Sequence, residues 1–423
     1  MRRSVFGILV AAALVGAVPL LARGDETATS YHGLDLVERV FQMVREDYVE
    51  PVKSEKLAED GIDGMLSALD PHSTYLDPAA YRALEAPGAA KQAGVGLEVT
   101  RKDGIVEVVA PIDGTSAAEA KLMPEDRILR IDDEPLGELL LDEVVAKLHG
   151  TAGTKVKLTI ERGNAKPFDV TLERAALTAP AVRSLLYGAV GYIRVARFSE
   201  DAEAGVRQAI DALRGQASGG ALKGIVLDLR NNPRGRLDQA VAVAGDFVGK
   251  AVVVSTRGRR AEDNRSLRGS GRDLVPGVPV IVLINRGSAV EAEIVAGALR
   301  DDRRAVLMGT RTFGSGTVQS IIPIPGQGAL KLTTARYYTP QGHEIEGAGI
   351  APDITVEPAK LEYLPELHSV YEKDLPNALK NPDGTSASAK PAAPGAKLPA
   401  DDYQLYRAID LLRGLAVVHS AGM

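Results

Sequence analysis

The chain has 423 residues, of which 45% are hydrophobic and 25% charged; this composition excludes a disordered chain and predicts a globular protein of two to four domains. The formal net charge is −6 and no Lys/Arg tract stands out, which argues against nucleic acid as a partner. Cysteine is absent, which excludes disulfides, thiolate metal sites and a cysteine nucleophile.

The N-terminus places two basic residues before an apolar run. Arg2 and Arg3 precede the apolar residues 5–21, and charge returns at Arg23. This order is typical of an export signal and explains the pattern better than a buried helix does. Residues 1–24 are therefore predicted to be a signal peptide or, because no clean Ala-x-Ala cleavage site follows, an uncleaved signal anchor. The expected location is the periplasm, either soluble or anchored to the inner membrane.

Residues 25–90 are predicted to form an N-terminal helical domain. Apolar residues recur there at helical spacing, namely Leu34, Val37, Val40, Phe41 and Val44. Residues 70–73 interrupt the pattern, and a helix restarts at Pro78. His72, beside an aspartate, has the character of a metal ligand, but no second ligand cluster accompanies it. No metal and no other cofactor is expected.

Residues 91–177 contain a glycine turn that leads into a strand. The turn consists of Gly94, Val95, Gly96 and Leu97. Further strand patterns and an amphipathic helix follow in order, at residues 105–110, 126–133, 141–149, 156–162 and 168–172. This order resembles a PDZ domain. The resemblance implies that N–H groups of the turn bind a peptide's terminal carboxylate, while the next strand pairs with the peptide backbone.

Residues 178–360 are predicted to form an α/β core. Continuous apolar runs at residues 224–230 and 278–284 are typical of buried parallel strands. Helical patterns follow them at residues 237–247 and 291–300. The second strand–turn–helix offers the free N–H groups and positive potential of a helix N-terminus. No phosphate loop is evident, so a nucleotide site is not expected.

The remaining residues, 361–423, are predicted to be a linker and a last helix. Residues 378–400 are rich in Pro, Ala, Ser, Gly and Lys, which is typical of a disordered linker. Residues 403–419 follow as an amphipathic helix, which more often packs on its own domain than on a partner. A homo-oligomer through the N- and C-terminal helices is nevertheless one expected assembly.

Two long segments of the core, residues 285–299 and 309–319, resemble the active-site segments of the C-terminal-processing (tail-specific) serine peptidases. Residues 228–233 resemble a glycine-turn segment of that family, and residues 332–340 and 349–353 its closing segment. The resemblance covers roughly residues 31–357. It implies an α/β multidomain fold: a crotonase/tail-specific-protease-like α/β core with an inserted PDZ domain and an N-terminal helical region.

The resemblance also assigns roles to three positions of the core. Val290 stands where the family has its nucleophilic serine, and Ser315 stands where it has the lysine base. Their separation of 25 positions in the chain fits the family's spacing. Valine has no nucleophile and a serine hydroxyl is too weakly basic to replace an amine. Gln319 matches the family's third active-site residue and is retained.

Two further differences fall in the segments that the family uses to hold the oxyanion. Glu291 follows the nucleophile position, where the family has a small residue, and its carboxylate would oppose a developing negative charge. Arg234 stands at the first glycine of the family's Asn-Pro-Gly-Gly turn, whereas Gly235 is retained. Because several residues differ together, a laboratory knock-out does not explain the pattern.

Two residues are candidates to replace the lost groups. Ser288 lies two residues before the nucleophile position, but on a strand-to-helix turn its side chain would be displaced by several Å. A better interpretation is that Ser288 caps the helix together with Glu291 as a capping box. His343 is chemically able to act as a base, but nothing in the sequence places it beside Ser288.

The sequence therefore predicts a catalytically inactive homologue, or pseudopeptidase, that binds peptide C-termini or partner proteins in the cell envelope. An active paralogue and an envelope lipoprotein are the expected kinds of protein partner. An active serine endopeptidase with a displaced nucleophile is the alternative, and a purely structural oligomer subunit is a third reading. The third reading does not require the glycines at positions 94 and 96.

Overall fold

The computed structural model describes residues 24–85, 93–102, 104–137, 139, 141–176, 180–359, 362, 372, 375–379 and 402–421. The predicted export signal, apart from its last residue, lies outside the described residues, as does the predicted linker from residue 380 onward. The described chain divides into two compact units, Met1–Leu69 and Asp70–Met423. Each unit is described by itself.

The first unit contains two helices, α1 (Gly24–Asp47) and α2 (Ser54–Ser67). The predicted helical spacing is confirmed, but the apolar residues of α1 are largely exposed; Leu34 is 66% exposed. Charged pairs one turn apart support both helices, such as Arg39 with Asp35 at 2.7 Å. None of the described helices has the length and apolar composition needed to cross a bilayer.

The second unit opens with a short strand, β1 (Thr74–Leu76), and the helix α3 (Pro78–Glu85). The carboxylate of Asp77 accepts hydrogen bonds from the N–H groups of Ala79 and Ala80 at 2.7 and 2.6 Å. This is an N-cap, and proline is favoured at the following position. The predicted helix start is therefore confirmed.

The predicted PDZ segment forms a five-strand path with a helix beside its first strand. Its elements are β2 (Ala93–Gly94), β3 (Leu97–Lys102), β4 (Ile105–Pro111), α4 (Ser116–Glu119), β5 (Arg127–Ile131), β6 (Glu134–Pro135), α5 (Leu141–Leu148), β7 (His149–Gly150), β8 (Lys155–Glu161) and β9 (Phe168–Glu173). The path is β3-β4-β5-β8-β9, with β6 beside β5, and β2 pairs with β7 separately. The strand β3 is the first of this path, and it contacts α5.

The α/β core is built on a six-stranded sheet. The elements that complete the second unit are β10 (Val182–Tyr187), β11 (Val190–Val195), α6 (Ala202–Gln216), β12 (Gly224–Asp228), α7 (Leu237–Val248), β13 (Val252–Gly258), β14 (Arg265–Arg268), β15 (Val280–Ile284), α8 (Glu291–Asp301), β16 (Val306–Gly309), β17 (Thr317–Pro323), β18 (Ala329–Tyr338), β19 (Ile354–Thr355) and α9 (Tyr403–Ala421). The strand order is β10-β11-β12-β15-β16-β19, parallel from β11 onward. Every residue of β12 and β15 is buried, as their apolar runs predict.

A second, antiparallel sheet was not predicted. It has the order β1-β18-β13-β14, with β17 also paired to β18. It joins Thr74 to Lys331, which are far apart in the chain, so no local pattern announces the pairing. Through β17, this sheet places Gln319, and Ser315 just before the strand, next to the six-stranded sheet.

The last helix, α9, packs on the six-stranded sheet of its own core. Its apolar stripe is buried there with strands β12 and β15, namely Leu405, Ala408, Ile409 and Leu412. Arg230 at the end of β12 binds Asp402 at 2.7 Å, just before the helix. The prediction that this helix packs on its own domain is confirmed, and these four side chains are not available to an oligomer partner.

Candidate active site

The turn between β15 and α8 is held against the turn that follows β12. Asn285 donates its side-chain N–H to Asn231 Oδ1 at 2.8 Å, and its Oδ1 accepts the Asn231 backbone N–H at 2.9 Å. Ala289 donates its N–H to the carbonyl of Asn232 at 3.0 Å. These bonds bring residues 234 and 235 to the beginning of α8.

Val290 occupies the N-cap of α8 in an unusual backbone conformation, with φ 45° and ψ −99°. A positive φ is a strong outlier for a β-branched residue. Such conformations cost of order 1–3 kcal/mol and are concentrated at functional sites. The backbone at the nucleophile position is therefore bent as at an active site, although the side chain carries no reactive atom.

Glu293 links positions 290 and 315, which the resemblance assigned to the family's catalytic pair. One carboxylate oxygen, Oε2, accepts the backbone N–H groups of Val290 and Ser315 at 3.0 and 2.9 Å. The other, Oε1, accepts from Thr312 Oγ1 at 2.5 Å and from the Gly314 N–H at 2.7 Å. Burial raises the pKa of Glu293 to about 7, against the opposing effect of these four bonds. The structure thus brings positions 290 and 315 together.

The side chains at these positions do not form a nucleophile–base pair. Val290 packs its side chain against the hydrophobic core. Ser315 is half-buried and carries a hydroxyl at the position that the resemblance assigned to the family's lysine base. Gln319 donates to Thr317 Oγ1 and Thr333 Oγ1, both at 3.0 Å, and so is held within the antiparallel sheet. The side chain of Gln319 is therefore held by two threonines of the antiparallel sheet.

Glu291 places a carboxylate at the N-terminal end of α8. Burial raises its pKa to about 7, opposed by hydrogen bonding from its own N–H and that of Gly235 and by the charge of Arg234. Its Oε2 is buried without a hydrogen-bond partner in the described part of the chain. An acyl-transfer site would need these N–H groups for a developing oxyanion. The Glu291 carboxylate therefore accepts hydrogen bonds from its own N–H and that of Gly235, the groups that an oxyanion would use.

Arg234 connects this site to the predicted peptide-binding strand. Its Nη2 lies 2.5 Å from Glu98 Oε1 on β3. Burial raises the pKa of Glu98 and the Arg234 charge opposes that rise. Gly235 next to it packs on Phe198, where a Cβ atom would come within 2.4 Å of the Phe198 side chain. The glycine is thus required by packing, whereas the arginine ties the two domains together.

Two more arginines of the core bind acidic residues of the predicted PDZ segment, residues 91–177. Arg194 on β11 forms a two-bond pair with Asp113 at 2.9 and 3.1 Å. Arg286 lies 2.6 Å from Glu125, with both side chains exposed. A buried two-bond pair is worth more than an exposed single one, so Arg194 is the stronger link.

Ser288 does not cap the helix, and that prediction is wrong. Its hydroxyl donates to the Leu229 carbonyl at 2.8 Å and accepts the Asn285 N–H at 3.1 Å, and the residue is fully buried. The helix begins at Glu291, so the glutamate three residues after the N-cap is Glu293. Ser288 instead fastens the ends of two strands.

His343 and His72 lie outside this constellation. The Nδ1 of His343 is 4.0 Å from Asp301, at the far end of α8 from Val290. Burial lowers the pKa of His72, with the carboxylates of Glu346 and Asp70 opposing this. Across the described ranges, no group of three or more histidine or acidic side chains is arranged to hold a metal ion.

The four residues of the glycine turn have different environments. Gly94 donates its N–H to the Ala175 carbonyl at 3.1 Å, so that donor is engaged. Gly96 has φ 77°, and a Cβ there would come within 2.3 Å of Thr115. Val95 is buried, while Leu97 remains half-buried beside α5. A terminal carboxylate would therefore depend on the N–H groups of Val95 to Leu97.

Sequence reasoning missed two residues of this site, Glu293 and Glu98. The signal for Glu293 was present: a glutamate three residues after a helix N-cap. The sequence instead favours Ser288 and Glu291 as the two residues of this capping pattern, because valine is a poor N-cap. No local signal identifies Glu98 as the partner of Arg234, since 136 residues separate them.

The parallel core, the strand–turn–helix at Val290 and the tethered PDZ-like domain define a serine-peptidase-like protein. Residues 189–356 match the profile of peptidase family S41, residues 107–162 that of a PDZ domain, and residues 17–80 that of the activating protease CtpB N-terminal domain. The chain is 40% identical over 423 residues to the carboxy-terminal-processing protease of Bartonella bacilliformis, covering 99% of this chain and 96% of that protein. The chain belongs to peptidase family S41, in its carboxy-terminal-processing branch.

Two further comparisons agree. A probable CtpA-like serine protease of Staphylococcus aureus is 34% identical over 339 residues, which is 79% of this chain and 67% of that protein. The solved structure of a photosystem II D1 C-terminal processing protease matches with a TM-score of 0.66 and 30% identity, over 79% of this chain and 89% of that one. The predicted fold class is confirmed.

Proposed function

We propose that this protein is a non-proteolytic member of its family that binds the C-termini of peptides or proteins through its PDZ domain. The observation that carries the proposal is at Glu293: it holds positions 290 and 315 side by side, yet those positions carry valine and serine. The Ser–Lys chemistry needs a nucleophile and a base at these two places. The relatives named above are called proteases, and the proposal is that this chain lacks the reacting atoms of such an enzyme.

The surroundings of the site support the same proposal. The Glu291 carboxylate is directed at the N–H groups that would stabilise an oxyanion, and its charge would repel one. A displaced nucleophile at Ser288 is disfavoured because that hydroxyl is buried and donates to Leu229. Proteolysis at Val290 therefore lacks a nucleophile, and proteolysis at Ser288 lacks an accessible one.

The binding half of the proposal rests on β3 and α5. A free strand edge beside a helix is the arrangement by which a peptide adds to a sheet. Leu97, Leu141 and Val145 are half-buried there and can line a pocket for the last side chain. The fixed glycine turn at the start of the strand supplies backbone donors for a carboxylate. An apolar C-terminal residue is the expected ligand feature.

The location and partners remain part of the proposal. The basic start followed by residues 5–21 supports export to the cell envelope. An envelope lipoprotein or an active paralogue with an exposed C-terminus would be a suitable protein ligand. A second copy of the chain, through its N-terminal helices, is a further assembly that this proposal allows.

The test combines cleavage and binding with the full chain. An unstructured peptide with an apolar free-acid C-terminus should bind without being cut, and fluorophosphonate should leave the protein unlabelled. Amidation of the peptide should weaken binding by about 1.5–3 kcal/mol, the worth of a charge-assisted hydrogen bond. Val145→Glu in α5 should abolish binding, while Val170→Glu, half-buried on β9 at the other end of the sheet path, should not.

Two outcomes would oppose the proposal. Turnover that is lost on Ser288→Ala would establish the displaced nucleophile. Equal affinity for free-acid and amidated peptides would show that the terminus is not what the domain binds. A substitution at Gly96 is not a clean test, because its collision with Thr115 would disturb the fold itself.

A further inference from the structure

We propose that the β13–β14 hairpin is a docking surface for an anionic membrane and binds lipid phosphates. Residues 250–272 contain seven Lys and Arg residues against two acidic ones, a local net charge of +5 in a chain whose net charge is −6. The rest of the chain therefore carries −11. This inference is independent of the peptide-binding proposal, because the hairpin is neither in the PDZ domain nor at Val290.

The hairpin groups these charges at the end of the antiparallel sheet: Arg265 and Arg268 lie on the edge strand β14, Arg257 lies on β13, and the other four lie beside the two strands. Strand β14 ends the sheet path, and Thr256 lies opposite Arg265 while Val252 lies opposite Arg268. The Gly269 N–H binds the Ala251 carbonyl at 3.1 Å, which draws Arg268 close to Lys250. At about 3.3 Å per residue, the basic edge is roughly 20 Å long.

Most of these cations have no carboxylate partner. The side chains of Lys250, Arg257, Arg259, Arg265, Arg268 and Arg272 form no ion pair with any residue in the described parts of the chain, and all are exposed. Only Arg260 approaches a carboxylate, that of Glu262 at 3.5 Å. Arg257 lies over the ring of Tyr338, 4.2 Å from its centroid. By contrast, the buried Arg194 and Arg230 are fully paired.

Phosphate is the chemistry that suits this surface. Six of the seven cations are arginines, whose planar guanidinium groups bind phosphate with two parallel hydrogen bonds. Charge on an edge strand also prevents strand-to-strand association, but only two of the seven cations, Arg265 and Arg268, lie on the edge strand itself. A membrane is favoured over nucleic acid because the basic N-terminus followed by an apolar run indicates export to a membrane-bounded compartment.

The experiment measures binding of the full chain to vesicles of phosphatidylglycerol and phosphatidylcholine, compared with phosphatidylcholine alone. The triple variant Arg259→Gln, Arg265→Gln, Arg268→Gln should lose about fivefold in affinity per residue, the factor for ~1 kcal/mol per basic residue at an anionic surface. The matched control changes three ion-paired arginines elsewhere, Arg39→Gln, Arg127→Gln and Arg236→Gln. The control should lose much less for the same change in net charge.

Insertion of the apolar residues 5–21 would contribute to binding of both kinds of vesicle by the wild type and by both triple variants. The test therefore compares differences in affinity between the proteins and between the vesicles. Binding that depends on the hairpin should also weaken steeply as salt rises, because exposed charges are screened. Equal losses in the two triple variants would overturn the proposal, since net charge alone would then explain binding. Hairpin-dependent binding to a DNA oligonucleotide that is tighter than to the anionic vesicles would overturn it in favour of nucleic acid.

Discussion

Val290 and Ser315 donate their backbone N–H groups to the same oxygen atom, Glu293 Oε2, at 3.0 and 2.9 Å. Two segments that are 25 residues apart in the chain therefore meet on one buried carboxylate. The clamp uses backbone groups, so it does not depend on which side chains stand at 290 and 315. The geometry of this site is therefore set independently of the side chains at positions 290 and 315.

The first prediction concerns that clamp. Glu293→Ala should lower stability by on the order of 3 kcal/mol, because buried N–H donors lose their acceptor. Thermal unfolding measures the loss. Glu262→Ala, an exposed glutamate, is the control and should stay within about 0.5 kcal/mol of the wild type. Similar midpoints for the two variants would show that the clamp is dispensable.

The second prediction concerns recovery of chemistry. Val290→Ser alone should give no hydrolysis, because a nucleophile and its base act as a unit. Adding Ser315→Lys should still give little while Glu291 and Arg234 remain. Only the further changes Glu291→Ala and Arg234→Gly should allow fluorophosphonate labelling and peptide cleavage. Full activity from Val290→Ser by itself would mean that another group already serves as base.

The third prediction is a pH dependence of stability. Burial raises the pKa of Glu291 to about 7, above its ordinary 4.5, so the folded state holds this proton more tightly than the unfolded state. The stabilisation is fully present below about pH 4.5 and is lost as pH rises through about 7. The groups that face Glu291 are Arg234, Glu98 and Tyr337. Glu293 contributes with the same sign.

Glu291→Gln should therefore be more stable than the wild type at pH 8, by at most about 3 kcal/mol, and nearly equal to it at pH 4.5. Thermal midpoints across this range measure the difference. The shared contribution of Glu293 cancels between the two proteins. A wild type that gains stability relative to the variant as pH rises would reverse the sign and contradict the assignment.

The sequence predicted the buried strands and the position of the site, but not the bonds that assemble it. Continuous apolar runs predict β12 and β15, because a strand that is buried on both faces has apolar residues at nearly every position. The antiparallel sheet was missed because β1 and β18 pair across the whole second unit. Glu293 was missed because Val290 at the N-cap hides the capping pattern. Such contacts follow from tertiary packing, which local patterns do not encode.

The fourth prediction concerns the link between Arg234 and Glu98. Arg234→Ala should cost about 1–3 kcal/mol, because Glu98, only a fifth exposed, would lose the cation that offsets its burial. Adding Glu98→Gln should recover part of the loss. Arg286→Ala breaks an exposed pair and should cost at most about 1 kcal/mol. Additive effects of the two changes at 234 and 98 would show that the pair contributes nothing.

The fifth prediction uses the bent backbone at Val290. Removing a half-buried valine side chain normally destabilises a protein through lost packing, and Val318→Gly on β17 should do so. At φ 45° a valine is strained, and glycine adopts positive φ without steric cost. Val290→Gly should therefore be neutral or stabilising by about 1 kcal/mol in thermal unfolding. A loss as large as that of Val318→Gly would show that the side chain at 290 contributes packing that outweighs its backbone strain.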